Sequence, residues 1–339
     1  MRVLIVSDAW HPQVNGVVRT LSMVAAELTA LGHQIEVIGP DRFRTVALPT
    51  YPGIRLAVTP GQRVGAAIKA FRPDALHIAT EGPLGHAARR WALRRGMAFT
   101  TSFHTRFPEY LHARTRLPPA WAYAWLRRFH NAGAGTMVAT DSLRRELAAR
   151  GFRRLRAWTR GVDLARFTPA PPGQACSAAY ARPVFLYVGR LAVEKNLPAF
   201  LSLDLPGTKL VVGDGPQRRA LAQAYPDTRF VGERHGAALA RSYAEADVFV
   251  FPSLTDTFGL VLLESLASGV PIAAYPVTGP VDVLEGALHG VGALDHDLRA
   301  AALHALATGN RAVCRAHAER FSWRACAEGF LANLANASP

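Results

Sequence analysis

Two doubly wound α/β domains are what this 339-residue sequence predicts, and three observations predict them. Short apolar runs alternate with helical patterns along nearly the whole chain. They fall into two series, and the Pro-rich segment Phe167 to Gly173 separates one series from the other. The length exceeds one ordinary core, so two domains are the default. Strands separated by helices imply βαβ units, and hence parallel sheets covered on both faces.

The chain opens on MRVLIVSDAW, where Val3–Ser7 reads as a first strand. Its apolar run is too short for a signal peptide. DAWHPQVNGVVRT follows, with the turn signal Asn15-Gly16 leading into a helix over Val17–Leu31. A glycine loop at a helix N-terminus can approach a phosphate closely, or it can be a plain βα turn. Further strands are predicted at Gln34–Ile38, Ala75–Ile78, Ala98–Ser102 and Thr136–Ala139. Between the last two lies PPAWAYAWLRRFH, Pro118 to His130. Tyr123, Leu126 and Phe129 share a helical stripe suited to a core. Trp121, Trp125, Arg127 and Arg128 would leave a basic side exposed, of a kind that can also lie in a membrane interface. The second series runs Val184–Val188, Lys209–Val212, Arg229–Val231, Val248–Phe251 and Pro271–Ala274.

Half of the residues are hydrophobic and 19% are charged, which excludes a disordered chain. No apolar run is long enough for a transmembrane helix. Cys176, Cys314 and Cys326 are scattered without metal-ligand spacing, so a reduced, cytoplasmic compartment is expected. The net charge of +14 is unevenly placed. The first 170 residues carry 25 Lys and Arg against 10 Asp and Glu, whereas the rest carry 14 against 15. A basic half beside a neutral one suits phosphate-rich material, either anionic lipid or nucleic acid. No helix-turn-helix, zinc-finger or stacking pattern accompanies it, so nucleic acid is disfavoured.

Ligands of doubly wound sheets bind beyond the carboxyl ends of the strands, which singles out the residues just after each apolar run. His104 follows the fourth strand. In YVGRLAVEKN, Gly189, Arg190 and Lys195 follow the first strand of the second series. An arginine that grips two oxygens and a lysine point charge suit a diphosphate. VVGDGPQRRAL repeats the layout, with Gly215 in a tight turn. PSLTDTFGLVLLES places Asp256 and Glu264 eight positions apart, around a turn that opens an apolar helix. Two carboxylates flanking a helix N-terminus could hold hydroxyls on either side of a phosphate. Asp295-His296-Asp297 imitates a metal-binding pair but reads as a surface loop.

Together these motifs resemble retaining glycosyltransferases of family 4, which have the GT-B fold. The resemblance spans Asn15-Gly16, His104, GVDLARF, GRLAVEKN, GDGP and the DTFGLVLLES block. The common pattern is Glu, seven residues, Glu; here Asp256 takes the first place, and TDTFG is similar to the subset of glycolipid-forming and mannosyl enzymes. The resemblance implies that Arg190 and Lys195 bind the diphosphate and stabilise the leaving group, and that Glu264 holds the ribose. Asp256, Thr257 and the backbone of Phe258, Gly259 and Leu260 would orient the sugar. Gly16 and Gly189 would admit the diphosphate, and His104 would contact the sugar near the reacting carbon. No metal or cofactor is implied. The implied organisation is an acceptor domain over 1–168, a nucleotide-sugar domain over 174–310, and helices from 311 to 339 returning to the first. The expected activity is hexosyl transfer from a UDP- or GDP-sugar, with a slight lean to UDP. The expected acceptor is a lipid or glycolipid at an anionic membrane surface on the cytosolic face. A GT-B nucleotide-sugar epimerase and a mannosyltransferase on a soluble or polysaccharide acceptor are the alternatives.

Overall fold

A computed structural model describes residues 1–13, 15–48, 51–109, 111, 116, 118–170, 180–287 and 289–335. The chain forms two compact units, one of Met1–Arg160 with Trp323–Pro339 and the other of Gly161–Ser322.

The first unit holds β1 (Arg2–Val6), β2 (Gln34–Ile38), β3 (Thr45–Leu48), β4 (Tyr51–Ala57), β5 (Ala75–Ile78), β6 (Thr100–Phe103), β7 (Gly135–Val138) and β8 (Leu155–Ala157). Six of these form one sheet in the order β2-β1-β5-β6-β7-β8, with every pairing parallel. β3 and β4 make a separate antiparallel hairpin. The sequence reading misses this hairpin because Pro52 demotes the second strand. β8 also escapes it, being a three-residue edge strand with no buried position. The core sets Leu4, Val6, Ile38 and Ile78 of the sheet against Ile68 and Leu84 of the flanking helices. Burying each such side chain contributes roughly 1.5–3 kcal/mol. In the helix Pro119–His130, Tyr123, Leu126 and Phe129 are buried, while Trp121 and Trp125 are exposed. The core stripe and the exposed basic side therefore coexist on one helix.

The second unit holds β9 (Val184–Val188), β10 (Thr208–Val212), β11 (Arg229–Phe230), β12 (Val248–Phe251), β13 (Ile272–Ala274) and β14 (Gly292–Leu294). Their order is β11-β10-β9-β12-β13-β14, again parallel throughout. β9 and β12 are buried along their whole length, as their unbroken apolar runs require. The winding reverses between these two neighbours, which makes the crevice beyond their carboxyl ends the switch point.

The boundaries depart from expectation. The second unit begins at Gly161, not beyond the Pro-rich segment, because Phe167 is buried edge-on against Tyr243. Residues 171–179 of that segment, with Cys176, lie outside the described residues. The helix Arg311–Ala318 also stays in the second unit. Its Arg315 guanidinium donates to the carbonyls of Leu164, Phe167 and Ala267 at 3.1, 2.7 and 3.2 Å. Only the helix Trp323–Ala335 belongs to the first unit. There Trp158 Nε1 donates to Cys326 O at 3.0 Å and Phe330 packs on Trp158 and His77. The chain thus passes between units twice, and the two crossings are paired, Val162 N donating to Phe321 O at 3.0 Å. Among the described residues no helix is long and apolar enough to cross a membrane.

Candidate active site

In the second unit the loops after β9, β10 and β12 converge. Gly189 N donates to Val212 O and Leu191 N to Asp214 O, at 3.0 and 2.9 Å. The two backbones lie so close that a Cβ on Gly213 would stand 1.9 Å from Gly189 O, and one on Gly215 2.5 Å from Leu191 O. Both glycines also have positive φ, +141° and +158°. Backbone packing therefore explains Gly215, and its sequence-based place in the nucleotide site gains no contact of its own. Arg190 follows Gly189 and is exposed.

Lys195 ends a short 3-10 turn, Val193–Lys195. Asn196 then takes a left-handed conformation and its side chain donates to Pro252 O at 3.2 Å, tying this turn to the loop after β12. The tie brings together two predicted site residues. Lys195 Nζ lies 2.5 Å from Asp256 Oδ1, in a pair about one-fifth exposed. The second oxygen, Asp256 Oδ2, is buried with no hydrogen-bond partner among the described residues. A buried carboxylate oxygen without a donor is costly, and a ligand hydroxyl would satisfy it.

Thr257 and buried Phe258 lead to Gly259, which caps the helix Leu260–Ala267 at φ +84° without a side-chain cap. Leu260 is its first residue, and its first turn holds no acidic residue. The uncapped N–H groups and the dipole at this end favour an anion. Glu264, deeper in the same helix, is only 3% exposed. Its Oε2 accepts from the Tyr243 hydroxyl at 2.8 Å. The structure therefore groups Lys195, Asp256 and the helix N-terminus, and places Glu264 among buried groups beside Tyr243. A tyrosine ahead of a strand carries no motif, and the sequence reading passes over it.

Gly16 and His104 lie in the first unit. Gly16 begins the helix Gly16–Ala30, but the Asn15 side chain accepts from Val17 N and Val18 N, both at 3.0 Å. Those two donors are occupied by the chain itself, so this turn acts as a capped helix start. Asp8 is a further residue that the sequence reading misses, although an acid directly after a first strand was the available signal. It accepts from Leu84 N, Gly85 N and Thr80 Oγ1 at 2.9, 3.2 and 2.9 Å. It thereby caps the helix Pro83–Arg94 from a distant strand. Burial raises its carboxyl above the usual range, against the lowering effect of those bonds.

His104 follows β6 and is half-buried, with its ring edge-on to Trp158. Its Nδ1 lies 3.3 Å from a guanidinium nitrogen of Arg160. Arg160 is buried, donates to Trp158 O and Thr159 O, and stacks on the Trp158 ring. Burial brings Arg160 down to about 10, so it remains charged at neutral pH. Burial and then the Arg160 charge hold His104 well below its ordinary value, with His77 and His130 adding smaller effects. His104 is thus a neutral imidazole. Asp297, of the apparent metal pair, is exposed and caps the helix Leu298–Thr308, accepting from Arg299 N at 2.9 Å.

Comparison with known proteins identifies the family. Residues 14–166 match the family model Glycosyltransferase Family 4, and residues 182–308 match Glycosyl transferases group 1. A GDP-mannose-dependent alpha-mannosyltransferase of Mycobacterium tuberculosis is 32% identical over 331 residues, covering 90% of this chain and 88% of that protein. A GDP-mannose-dependent alpha-(1-6)-phosphatidylinositol dimannoside mannosyltransferase of the same species is 28% identical, covering 98% and 96%. Among solved structures, sucrose-phosphate synthase from Thermosynechococcus elongatus superposes with a TM-score of 0.76 over 99% of this chain and all of that one; at 19% identity this shows the fold alone. The chain belongs to glycosyltransferase family 4: it has the GT-B fold, with two parallel-sheet Rossmann-like units, and transfers a sugar from a nucleotide sugar.

Proposed function

We propose that this chain is a retaining, metal-independent mannosyltransferase that moves mannose from GDP-mannose to a hydroxyl of a lipid or glycolipid at an anionic membrane surface. The observation that carries the reading is the Lys195–Asp256 pair beside the uncapped N-terminus of Leu260–Ala267. A diphosphate drawn to that helix end competes with Asp256 for the ammonium. Arg190 and Lys195 then carry the negative charge that grows on the leaving diphosphate, the charge a metal would otherwise neutralise. Asp256, released from part of its ion pair, accepts hydroxyls of the sugar. Glu264 holds the ribose, kept in place by Tyr243. His104 donates to the sugar.

The C1–O bond to the β-phosphate breaks, and the acceptor oxygen bonds C1 on the same face. Its proton passes to an oxygen of the departing diphosphate. The relatives' names, which give GDP-mannose as donor and an alpha linkage for the transfer, support the retaining reading, because the mannosyl bond of GDP-mannose is itself α. Those names also favour GDP-mannose over the slight lean to UDP in the sequence reading. The phosphatidylinositol dimannoside in one name, with the basic first half of this chain, supports a lipid acceptor.

The purified chain, given radiolabelled GDP-mannose and UDP-sugars with a total lipid extract, is expected to label the lipid fraction from GDP-mannose. The product should have the α configuration by NMR and form equally in EDTA. Release of an altered sugar without acceptor would indicate an epimerase. Label confined to water-soluble products would favour a soluble or polysaccharide acceptor.

A further inference from the structure

Two neighbouring helices of the first unit, Pro83–Arg94 and Pro119–His130, contain no acidic residue between them. Arg89 joins them, donating to Phe129 O and Arg128 O at 3.2 and 3.1 Å. The His86 ring lies across both, 5.1 Å from the Trp125 ring and 4.9 Å from Phe129. His86 Nε2 is buried with no hydrogen-bond partner among the described residues. An open groove of about 530 Å³ runs between the helices, lined by His86, Arg89, Arg90, Arg94, Trp125 and Arg128 among others.

The apolar side chains around this groove are unusual in being outward. Trp121 is 73% exposed, Leu93 48% and Trp125 45%. Arg90, Arg94, Arg127 and Arg128 are exposed among them. Tyr123, Leu126 and Phe129 supply the core stripe of the second helix, and the two tryptophans lie outside it, Trp125 against the His86 ring. The two helices bring several arginines and two outward tryptophans to this surface and no carboxylate of their own. The acid that acts on His86, Glu81, is paired with His130 at 3.0 Å. Tryptophan favours the boundary between headgroups and acyl chains, and each surface arginine is attracted by anionic lipid.

We propose that this face is a docking surface for an anionic phospholipid bilayer, with Trp121, Trp125 and Leu93 entering the interface and the groove arginines holding lipid phosphates. The inference deepens the lipid-acceptor reading and rests on it for the role of the contact. Its chemistry favours a membrane over a nucleic acid, since two tryptophans and a leucine are outward, whereas half or more of the hydrogen bonds to a duplex go to its polar phosphate and sugar backbone. Lys195, Asp256 and Glu264 belong to the other unit.

The test is flotation of the whole chain with vesicles of phosphatidylcholine alone, or of phosphatidylcholine mixed with phosphatidylglycerol. Binding is expected only to the mixed vesicles, with a blue shift of tryptophan fluorescence. The charge reversal R90E/R94E/R128E should weaken it roughly 100-fold, at about a tenfold factor or less per residue. W121A/W125A should weaken it about 10-fold and abolish the blue shift. Circular dichroism and GDP binding are expected to be unchanged in both, because every altered side chain is exposed. Equal binding of wild type and the charge reversal overturns the proposal. So does equal binding to neutral vesicles, or displacement from the mixed vesicles by duplex DNA or glycerol phosphate at matched phosphate. Binding to mixed vesicles by a chain that fails to turn over GDP-mannose leaves the docking face standing and removes the donor reading.

Discussion

Arg160 donates from its guanidinium to Nδ1 of His104, 3.3 Å away. A guanidinium has donors only, so Nδ1 must accept. The neutral ring then carries its proton on Nε2. One buried cation thus fixes both the charge and the tautomer of the histidine that follows β6. With the proton on Nε2, the imidazole is set up as the donor that the proposed function directs to the sugar. Arg160→Met removes the bond and the charge while keeping the length of the side chain. His104 should then titrate at higher pH, so the acid limb of the kcat/KM profile moves towards neutrality. Turnover should fall about 10-fold with KM for donor little changed. Arg160→Lys should restore the profile. An unchanged acid limb in Arg160→Met would show that the arginine only fills space.

Lys195 and Asp256 should separate binding from transfer. Lys195→Ala removes a stabiliser of the leaving diphosphate, and turnover should drop ~100-fold or more with GDP binding also weakened. Asp256→Asn acts differently, because it frees Lys195 from the 2.5 Å pair. Titration calorimetry should show GDP bound at least as tightly by Asp256→Asn as by wild type, although mannosyl transfer is lost. Weaker GDP binding in Asp256→Asn would contradict the competition between Asp256 and the diphosphate.

Tyr243→Phe deletes the hydroxyl that donates to Glu264 Oε2. The carboxylate stays buried with one bond fewer, which should cost about 1–3 kcal/mol in urea unfolding. If Glu264 holds the ribose, KM for GDP-mannose should rise more than kcat falls. A stability loss with kinetics intact would confine the pair to a structural role.

Acid should destabilise the first unit in a calculable way. His77 is fully buried between Thr100 and Ser102, and burial pushes it down to about 3. Below its unfolded value near 6.5, the unfolded chain binds a proton that the folded chain refuses. Stability therefore falls as pH drops from about 6.5 towards 3, by roughly 1.4 kcal/mol per pH unit for this group. His104 adds in the same direction. Unfolding curves between neutral and acid pH should show this slope, and His77→Asn should reduce it.

The sheets were legible because their signal is collective. β9 and β12 are buried on both faces, so nearly every residue had to be apolar. β6 was harder, since its first three residues, Thr100, Thr101 and Ser102, are buried yet polar. Their hydroxyls pair with His77 and His130, distant residues whose partnership no local pattern reveals. The site followed the same division. Lys195 and Asp256 stand on loops that flank adjacent strands, and motif spacing brought both forward. Asp8, Arg160 and Tyr243 act through partners from 21 to 77 residues away in sequence, Tyr243 nearest and Asp8 farthest. Spacing within a motif carries no trace of such bonds.

The helix Trp323–Ala335 gives biosynthesis an unusual order. It supplies Phe330 to the aromatic cluster around His77 and Trp158, while Asn333 O accepts from the Arg156 guanidinium and the Asn333 side chain donates to Ala157 O. A nascent chain emerges from the ribosome with its first residues foremost, and domains ordinarily fold in that sequence. Here the unit made first lacks one helix until the last segment has been synthesised. The unit made second, continuous from Gly161 to Ser322, is complete sooner. The enzyme's early half must therefore wait, partly built and basic, for its closing helix while the later half is already folded.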